Sequence, residues 1–109
     1  MWEIELSKEV TEWYVALADR DRAFADRAFD RLIELGPQLA MPHSRSLGDG
    51  LRELRFSCEG AARRITYYFE AERRAVMLTT FRKQRDVERQ EVDRARRQMN
   101  VDKRKKEAR

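Results

Sequence analysis

Three closely spaced segments, residues 51–57, 64–69 and 75–81, constrain the fold more than any other feature of the chain. In the first two, apolar and polar residues alternate, which indicates strands with one buried face. The third is a continuous apolar run, which favours a central strand buried on both faces. Glu59-Gly60 and residues 70–74 provide polar turns between them. The segments therefore predict three consecutive antiparallel strands.

The register of the first two strands brings two arginines together. If the turn between them has two residues, Leu54 faces Ile65 on the apolar side and Arg55 faces Arg64 on the other side. A slip of one residue would turn every side chain to the wrong face. Directly opposed like charges destabilise a strand pair, so the arrangement favours a site for an anion such as phosphate. Alternatively, Glu53 neutralises Arg55 diagonally and the surface is merely solvated.

The first part of the chain is predicted to be a strand followed by two helices. Residues 2–6 alternate as a strand does, and Ser7 is a suitable cap for the first helix. Asp19 or Asp21 can cap the second helix, which Gly36-Pro37 ends. The two segments form either a helical hairpin or one bent helix, and the hairpin is preferred.

The remaining segments complete a single α+β domain over residues 1–101. Residues 37–50, rich in Gly and Pro, are predicted to be a loop, and a very polar helix is predicted from Arg85. Residues 102–109 are predicted to be a basic, disordered tail. The expected order is β-α-α-β-β-β-α, with the last three strands antiparallel.

Composition narrows the classes of function. The chain has 109 residues with one Cys and one His, which argues against a disulfide framework and against a metal site, and no cofactor is expected. No apolar run approaches the roughly 18 residues that span a bilayer, so we expect a cytoplasmic protein with no membrane partner. Residues 1–42 contain 5 basic and 9 acidic residues, whereas residues 43–109 contain 19 and 11. This asymmetry favours a polyanionic partner for the second part.

Further residues extend the basic face. Lys83 continues the alternation of the last strand, with Arg82 and Arg85 beside it. Tyr68 shares the predicted face of Arg64 and adds an aromatic ring, and rings among cations suit unpaired bases. We therefore predict that Tyr68, Arg82 and Arg85 bind RNA. The alternative for Tyr68 is packing under the terminal helix.

Three strings carry a family resemblance: Leu47–Arg55 (LGDGLRELR), Arg64–Phe69 (RITYYF) and Leu78–Lys83 (LTTFRK). In this order and spacing they resemble the HigB-like branch of the RelE/ParE toxin superfamily, phage-derived forms included. The resemblance covers roughly residues 40–100 and implies a small antiparallel twisted sheet with the helical hairpin on one face and an open RNA-binding face. It implies the toxin of a type II toxin–antitoxin pair, a ribosome-dependent endoribonuclease that cleaves translated mRNA without a metal and so inhibits translation.

The resemblance also implies site residues and partners. Carried over by position, Arg64 is the phosphate clamp, Arg55 lies beside it and Lys83 is a second cation, and these three are the predicted catalytic residues. Lys83 is also a candidate general base, with Tyr68 and Glu53 as substitutes. The implied partners are mRNA on the ribosome and a HigA-like helix-turn-helix antitoxin, which together with the toxin would form a hetero-oligomer.

Other classes of function stay open at this point. A ParE-like toxin that targets gyrase shares the scaffold but does not need Arg55, Arg64 and Lys83 on one face. A non-catalytic RNA-binding or ribosome-binding module needs only the basic patch. An inactive toxin is a further alternative, because Gln84 and Thr79 depart from the usual pattern. His43 and Cys58 are interpreted as bystanders without a chemical role.

Overall fold

The computed structural model describes residues 1–108 and has an α+β fold around a five-stranded sheet. In chain order the elements are β1 (Glu3–Leu6), α1 (Lys8–Val15), α2 (Asp19–Leu35), a short 3-10 turn (Gly36–Gln38), β2 (Ser44–Gly48), β3 (Leu51–Cys58), β4 (Ala61–Glu70), β5 (Arg74–Arg82) and α3 (Glu88–Glu107). The predicted fold class is therefore confirmed, but the predicted order lacks one strand.

The helix boundaries follow local chemistry, with one correction. The Ser7 hydroxyl accepts a hydrogen bond from the Val10 N–H at 3.1 Å, as predicted for the cap of α1. The predicted aspartate cap of α2 is wrong, because α2 begins after Ala18 without a side-chain cap. Asp19 lies instead in the first turn, where its negative charge interacts favourably with the positive end of the helix dipole. The structure has two separate helices rather than one bent helix.

Gly36 ends α2 at a point where the chain has no room for a side chain. Its φ is +52°, in the left-handed region that glycine tolerates best. A Cβ atom there would lie 2.3 Å from Nε1 of the Trp2 indole. The predicted end of the second helix at Gly36-Pro37 is therefore confirmed. Because Gly36 has no side chain, the Trp2 ring can pack directly against it.

The strand order is β1-β5-β4-β3-β2, and the sheet is mixed rather than fully antiparallel. β1 pairs in parallel with β5, which corrects the prediction of an antiparallel sheet. The alternation of residues 2–6 revealed a strand but gave no information about its partner. β5 is consequently a central strand, as its continuous apolar run predicted.

The predicted register between β3 and β4 is confirmed. Leu54 faces Ile65 and Arg55 faces Arg64. β4 also pairs antiparallel with β5, and a bulge between Thr66 and Tyr67 shifts the register of that pair. These pairings fix which side chains share a face near the ends of β3, β4 and β5.

The prediction of a loop over residues 37–50 is wrong for its second half. β2 occupies residues 44–48 and pairs antiparallel with β3, so that Arg45 faces Glu53. Its sequence lacks the apolar alternation of a typical strand because β2 lies at the sheet edge. Ser44 is nevertheless buried and lies within hydrogen-bond distance of the Tyr67 hydroxyl at 2.5 Å, which anchors the strand to the core.

Helices cover parts of both faces of the sheet. α1 and α2 pack their apolar residues, such as Val10 and Leu32, against Leu54 and Tyr67. On the other face, Ala95 and Met99 of α3 pack against strand residues, including Tyr68, Val76 and Leu78. The prediction of an open face is therefore wrong for the part of the sheet that α3 covers.

The predicted disordered tail is also corrected, since α3 continues to Glu107. Lys106 holds the helix end in place through salt bridges to Glu5, Glu70 and Asp102. A cluster of three carboxylates orders this end of the chain, although its sequence is almost entirely polar. Arg109 lies outside the described residues. Within residues 1–108, no helix is both long and apolar enough to cross a membrane.

Candidate functional site

Three arginines and two glutamates meet near the first turn of α3, and we call this group the arginine cluster: Arg45, Glu53, Arg55, Arg64 and Glu88. Strand pairing sets most of it, because Arg45 faces Glu53 across β2 and β3, and Arg55 faces Arg64 across β3 and β4. Three neighbouring strands thus bring together residues that are up to 19 positions apart in the sequence.

Glu53 is the carboxylate at the centre of the arginine cluster. Its side chain is fully buried, and Oε2 lies 3.2 Å from Nε of Arg45 and 3.8 Å from Nε of Arg64. Neither Glu53 oxygen makes a hydrogen bond of good geometry. The alternative that Glu53 neutralises Arg55 is thereby corrected, since its ion-pair partners are Arg45 and Arg64. Charge attraction, rather than directed hydrogen bonds, holds this carboxylate in place.

Arg64 is the buried cation of the cluster, with a side chain that is only 7% exposed. Burial lowers its pKa, as does the nearby charge of Arg55, whereas Glu53 and Glu88 oppose that change. Its Nη1 donates a hydrogen bond to the carbonyl oxygen of Arg63 at 3.1 Å. Because arginine stays protonated in proteins, Arg64 is a fixed positive charge behind the more exposed members of the cluster.

Arg45 and Glu88 join the strands to α3. The Arg45 side chain is 45% exposed, and its Nη2 donates to Oε1 of Glu88 at 3.2 Å. Sequence reasoning missed Arg45 because residues 37–50 were interpreted as a loop, and it missed Glu88 because the terminal helix was interpreted as exposed. The Gly48-Asp49-Gly50 string was the available signal, since such a string favours a tight turn between two paired strands.

Arg55 and Lys83 are more accessible to solvent than Arg64. Arg55 is half-buried, and its Nη1 lies 3.3 Å from Sδ of Met41. The Lys83 N–H donates to the Ala62 carbonyl at 2.9 Å, which extends the pairing of β4 and β5 by one residue. By the two-residue period of a strand, Lys83 falls on the same face as Arg64. Its side chain is exposed.

Arg82 and Arg85 do not belong to the arginine cluster. Arg82 faces Arg63 across β4 and β5, so it falls on the opposite face of the sheet from Arg64. Its charge contributes to the lowered pKa of Arg63, for which burial is the main cause. Arg85 is exposed in the turn before α3, where it lines a shallow cleft together with Glu88 and Arg89.

The prediction that Tyr68 stacks on RNA bases is contradicted by its position. The residue is 3% exposed and packs with Val76 and Met99 beneath α3. Its hydroxyl donates to the Asp102 carboxylate, and burial together with this bond raises the pKa of Tyr68. The alternative of packing under the terminal helix is the correct one. Tyr68 is also excluded as a general base, because its hydroxyl is already committed to a carboxylate.

Two other singled-out residues are Cys58, in the core, and His43, whose carbonyl oxygen accepts a hydrogen bond from the Arg55 N–H at 2.8 Å. Cys58 is buried, and burial raises the pKa of its thiol, which agrees with a role in packing. His43 is half-buried, with Nδ1 at 3.2 Å from Nη1 of Arg31. Within residues 1–108, no three His, Cys, Asp or Glu side chains are grouped to hold a metal ion.

The arginine cluster is suited to anion binding. The backbones of its three arginines are held in place by strand pairing. Each guanidinium group is planar and can donate two parallel hydrogen bonds to phosphate oxygens. Glu53 and Glu88 balance two of these charges, so a net positive charge remains, to which exposed Lys83 adds. Arg45, Arg55 and Lys83 are more exposed to solvent than Arg64, which is buried.

Comparison with known proteins identifies a family. The family model of phage-derived Gp49-like proteins (DUF891) matches residues 12–100, which include every member of the arginine cluster. No curated protein matches the chain. Because the match covers most of the sequence, the chain belongs to the phage-derived Gp49-like family, a toxin-like family of the RelE type.

Proposed function

We propose that this chain is the toxin of a type II toxin–antitoxin pair, of the HigB-like branch, and that it cleaves translated mRNA on the ribosome. The family is associated with toxin-like proteins, which supports the toxin class. The observation that carries the RNA-cleavage step is the arginine cluster, with Arg55 opposite Arg64 at adjacent strand positions. This arrangement is unfavourable for a merely solvated surface and favourable for a phosphodiester.

The proposed reaction is attack of a ribose 2′-OH on the adjacent phosphorus. The new P–O bond forms as the bond to the 5′-oxygen breaks, which leaves a 2′,3′-cyclic phosphate and a free 5′-hydroxyl. The 2′-OH loses its proton to a base, and the departing 5′-oxygen takes up a proton from water. Negative charge grows on the phosphate oxygens during this step, and fixed cations stabilise it.

Each cation has a distinct proposed task. Arg55 and Arg64 stabilise the negative charge on the phosphate oxygens. When RNA binds, Arg45 leaves its ion pair with Glu88, and its guanidinium group becomes the third one available to the phosphate. Lys83, at the exposed end of β5, is the proposed base: its neutral amine takes the 2′-OH proton, and the ammonium group that forms then adds a further positive charge beside the phosphate.

The ribosome requirement follows from the scarcity of acid–base groups in the cluster. Its buried carboxylate, Glu53, already lies between two arginines, and Tyr68 is covered. An enzyme with such a site depends on its partner to orient the 2′-OH and the phosphorus in line. We therefore propose that the ribosome positions the mRNA, and that a HigA-like antitoxin blocks the cluster in the toxin–antitoxin complex.

A cleavage assay with purified protein tests this function. The protein is added to an mRNA that is being translated in a reconstituted system and, separately, to the same mRNA without ribosomes. We expect efficient cleavage in the first reaction and little in the second. Arg64→Gln should lower the rate of cleavage by about 10²–10³-fold, the usual cost of removing one donor that stabilises transition-state charge.

Arg97→Gln is the matched control, because Arg97 is exposed on α3 outside the arginine cluster. It should leave the rate unchanged. Equal cleavage of free and translated mRNA would contradict the ribosome requirement. A non-catalytic RNA-binding module would give no cleavage at all, and its binding would weaken gradually as several basic residues were removed, with strong dependence on salt.

A further inference from the structure

A second basic site lies beside the arginine cluster, in a cleft between α2 and β3. The cleft has a volume of about 230 Å³. Its lining consists of α2 residues, His43 before β2, and β3 residues: Phe24, Arg27, Ala28, Arg31, His43, Arg55, Phe56 and Ser57. Typical sites for drug-sized ligands measure roughly 300–1,000 Å³, so this cleft suits a smaller group.

The charge of the α2–β3 cleft is uniformly positive or neutral. Arg27, Arg31 and Arg55 line it, and none of the described residues in its lining is acidic. This differs from the arginine cluster, where Glu53 and Glu88 balance two of the arginines. Three uncompensated guanidinium groups around a small cleft favour an anion with several acceptor oxygens.

The hydrogen-bond chemistry of His43 strengthens this preference. Nη1 of Arg31 lies 3.2 Å from Nδ1 of His43. Because a guanidinium group can only donate, Nδ1 is the acceptor, and the neutral ring carries its hydrogen on Nε2. The side-chain groups of His43 and the three arginines that remain free to form hydrogen bonds are therefore all donors. Phosphate oxygens only accept, so they match this set.

An aromatic ring at the edge of the cleft points to a nucleotide rather than a bare inorganic ion. Phe24 is 38% exposed, which is unusual for a large apolar side chain. The guanidinium carbon of Arg27 lies 5.8 Å from the centre of the Phe24 ring. Unpaired RNA bases stack on such rings while neighbouring cations hold the backbone.

Arg55 connects the two sites. It lines the α2–β3 cleft, and its charge also acts on Arg64 in the arginine cluster. We propose that the α2–β3 cleft binds a phosphate of single-stranded RNA, neighbouring the phosphate that the arginine cluster holds, with the adjacent base on Phe24. This inference rests on the proposed function, since it extends the path of the same RNA strand around the edge of the sheet.

His43 makes the inference directly measurable, because it is the single histidine of the chain. Its imidazole C–H resonances in a proton NMR spectrum need no further assignment. The full-length protein is titrated with inorganic phosphate and, separately, with a short 2′-O-methyl oligouridine that cannot be cleaved, at constant ionic strength. We expect both to shift the His43 resonances to saturation, with the oligonucleotide effective at lower concentration.

Arg31→Gln should weaken both titrations about tenfold, because it removes a charged hydrogen-bond donor. Arg27→Gln provides a second variant at the same cleft, and Arg97→Gln, on the exposed side of α3, should behave like the wild type. The proposal is overturned if neither ligand shifts the resonances, or if the two cleft variants bind as tightly as the wild type. Binding of phosphate without binding of the oligonucleotide would overturn the RNA assignment.

The failure of this inference is distinguishable from failure of the proposed function. Arg64→Gln should lower the rate of mRNA cleavage by about 10²–10³-fold while the phosphate titration of His43 stays as in the wild type. A saturable shift of His43 in a protein that cleaves no mRNA would support the cleft and refute the nuclease. Efficient, Arg64-dependent cleavage with an unresponsive His43 would refute the cleft alone.

Discussion

Replacement of Glu53 by glutamine gives the sharpest test of the charge arrangement at the centre of the site. The variant keeps the size of the side chain and removes its charge. In the wild type, Glu53 is fully buried between Arg45 and Arg64. Arg45 is 45% exposed and keeps Glu88 as a partner. Arg64 is 7% exposed and loses the nearest carboxylate, so the cost of the variant arises at Arg64.

Breaking a buried ion pair on one side typically costs about 3–5 kcal/mol, because a charge is left uncompensated in the interior. The Glu88 charge also acts on Arg64 and reduces this cost. We therefore expect the free energy of unfolding to fall by about 3 kcal/mol, the lower end of that range. The free energy of unfolding of a small domain is roughly 5–15 kcal/mol, so the variant should still fold but lose much of its stability.

Urea unfolding followed by the fluorescence of Trp2 and Trp13 measures this change. Glu12→Gln is the matched control, because the Glu12 side chain is 67% exposed and 3.9 Å from Lys8. It should change the free energy of unfolding by less than about 0.5 kcal/mol. The double variant with Arg64→Gln should recover part of the loss, with a coupling of about 1–3 kcal/mol.

A Glu53→Gln variant with the same free energy of unfolding as the wild type would refute the charge arrangement. A loss below about 1 kcal/mol would place the carboxylate in a solvated position. A large loss without coupling to Arg64 would also contradict the account, because the cost would then come from packing rather than from the ion pair.

Three further changes test other parts of the structure. Glu9→Gln should lower the free energy of unfolding by about 1–2 kcal/mol at pH 7, because Glu9 accepts hydrogen bonds from Arg94. Partial burial by itself raises the pKa of the Glu9 carboxyl, but the hydrogen bonds from Arg94 and from the Thr80 N–H, together with the Arg94 charge, lower it by more, so the pKa lies below its ordinary value of 4.5. The difference in stability should therefore begin to shrink as the pH falls below about 4.5 and vanish below the pKa of Glu9 in the folded protein. Glu88→Gln should raise the affinity for single-stranded RNA severalfold and steepen its salt dependence, because it frees a guanidinium group for phosphate. Tyr68→Phe should cost about 1 kcal/mol of stability through the lost bond to Asp102 and leave RNA affinity unchanged.

Controls and contrary results differ for each change. For Glu88, the control is Asp93→Asn, a neighbouring exposed carboxylate on α3 that should alter affinity less. Equal gains from both variants would indicate a general charge effect. A destabilisation by Glu9→Gln that did not decline as the pH was lowered from 7 through the pKa of Glu9 in the folded protein would contradict the ion-pair explanation. A fall in RNA affinity after Tyr68→Phe would show that the ring has access to RNA after all.

The central part of the fold could be predicted because side-chain direction and turn length act together. The alternation in β3 and β4 admitted only one register that buried both Leu54 and Ile65, and this register also placed Arg55 opposite Arg64. The path of β1 could not be predicted in the same way. Its pairing with β5 depends on how α1 and α2 pack, and no local pattern in residues 2–6 encodes that.

The site was harder to predict, for reasons visible in individual residues. Arg45 lies on an edge strand whose sequence, SRSLG, has no apolar alternation, so its pairing with Glu53 was hidden. The alternation of strand residues correctly places Tyr68 on the same face as Arg64, but alternation alone does not show that α3 covers Tyr68. The length of α3 was underestimated because its last turn is held by the salt bridges of Lys106 rather than by apolar residues.

The most direct measurement of the central claim is a map of mRNA 5′ ends in cells that express this chain without an antitoxin. The account predicts new 5′ ends within translated regions, 5′-hydroxyl groups at those ends, and their disappearance with Arg64→Gln but not with Arg97→Gln. Inhibition of growth without new 5′ ends, or cleavage that persists in the Arg64→Gln variant, would contradict it.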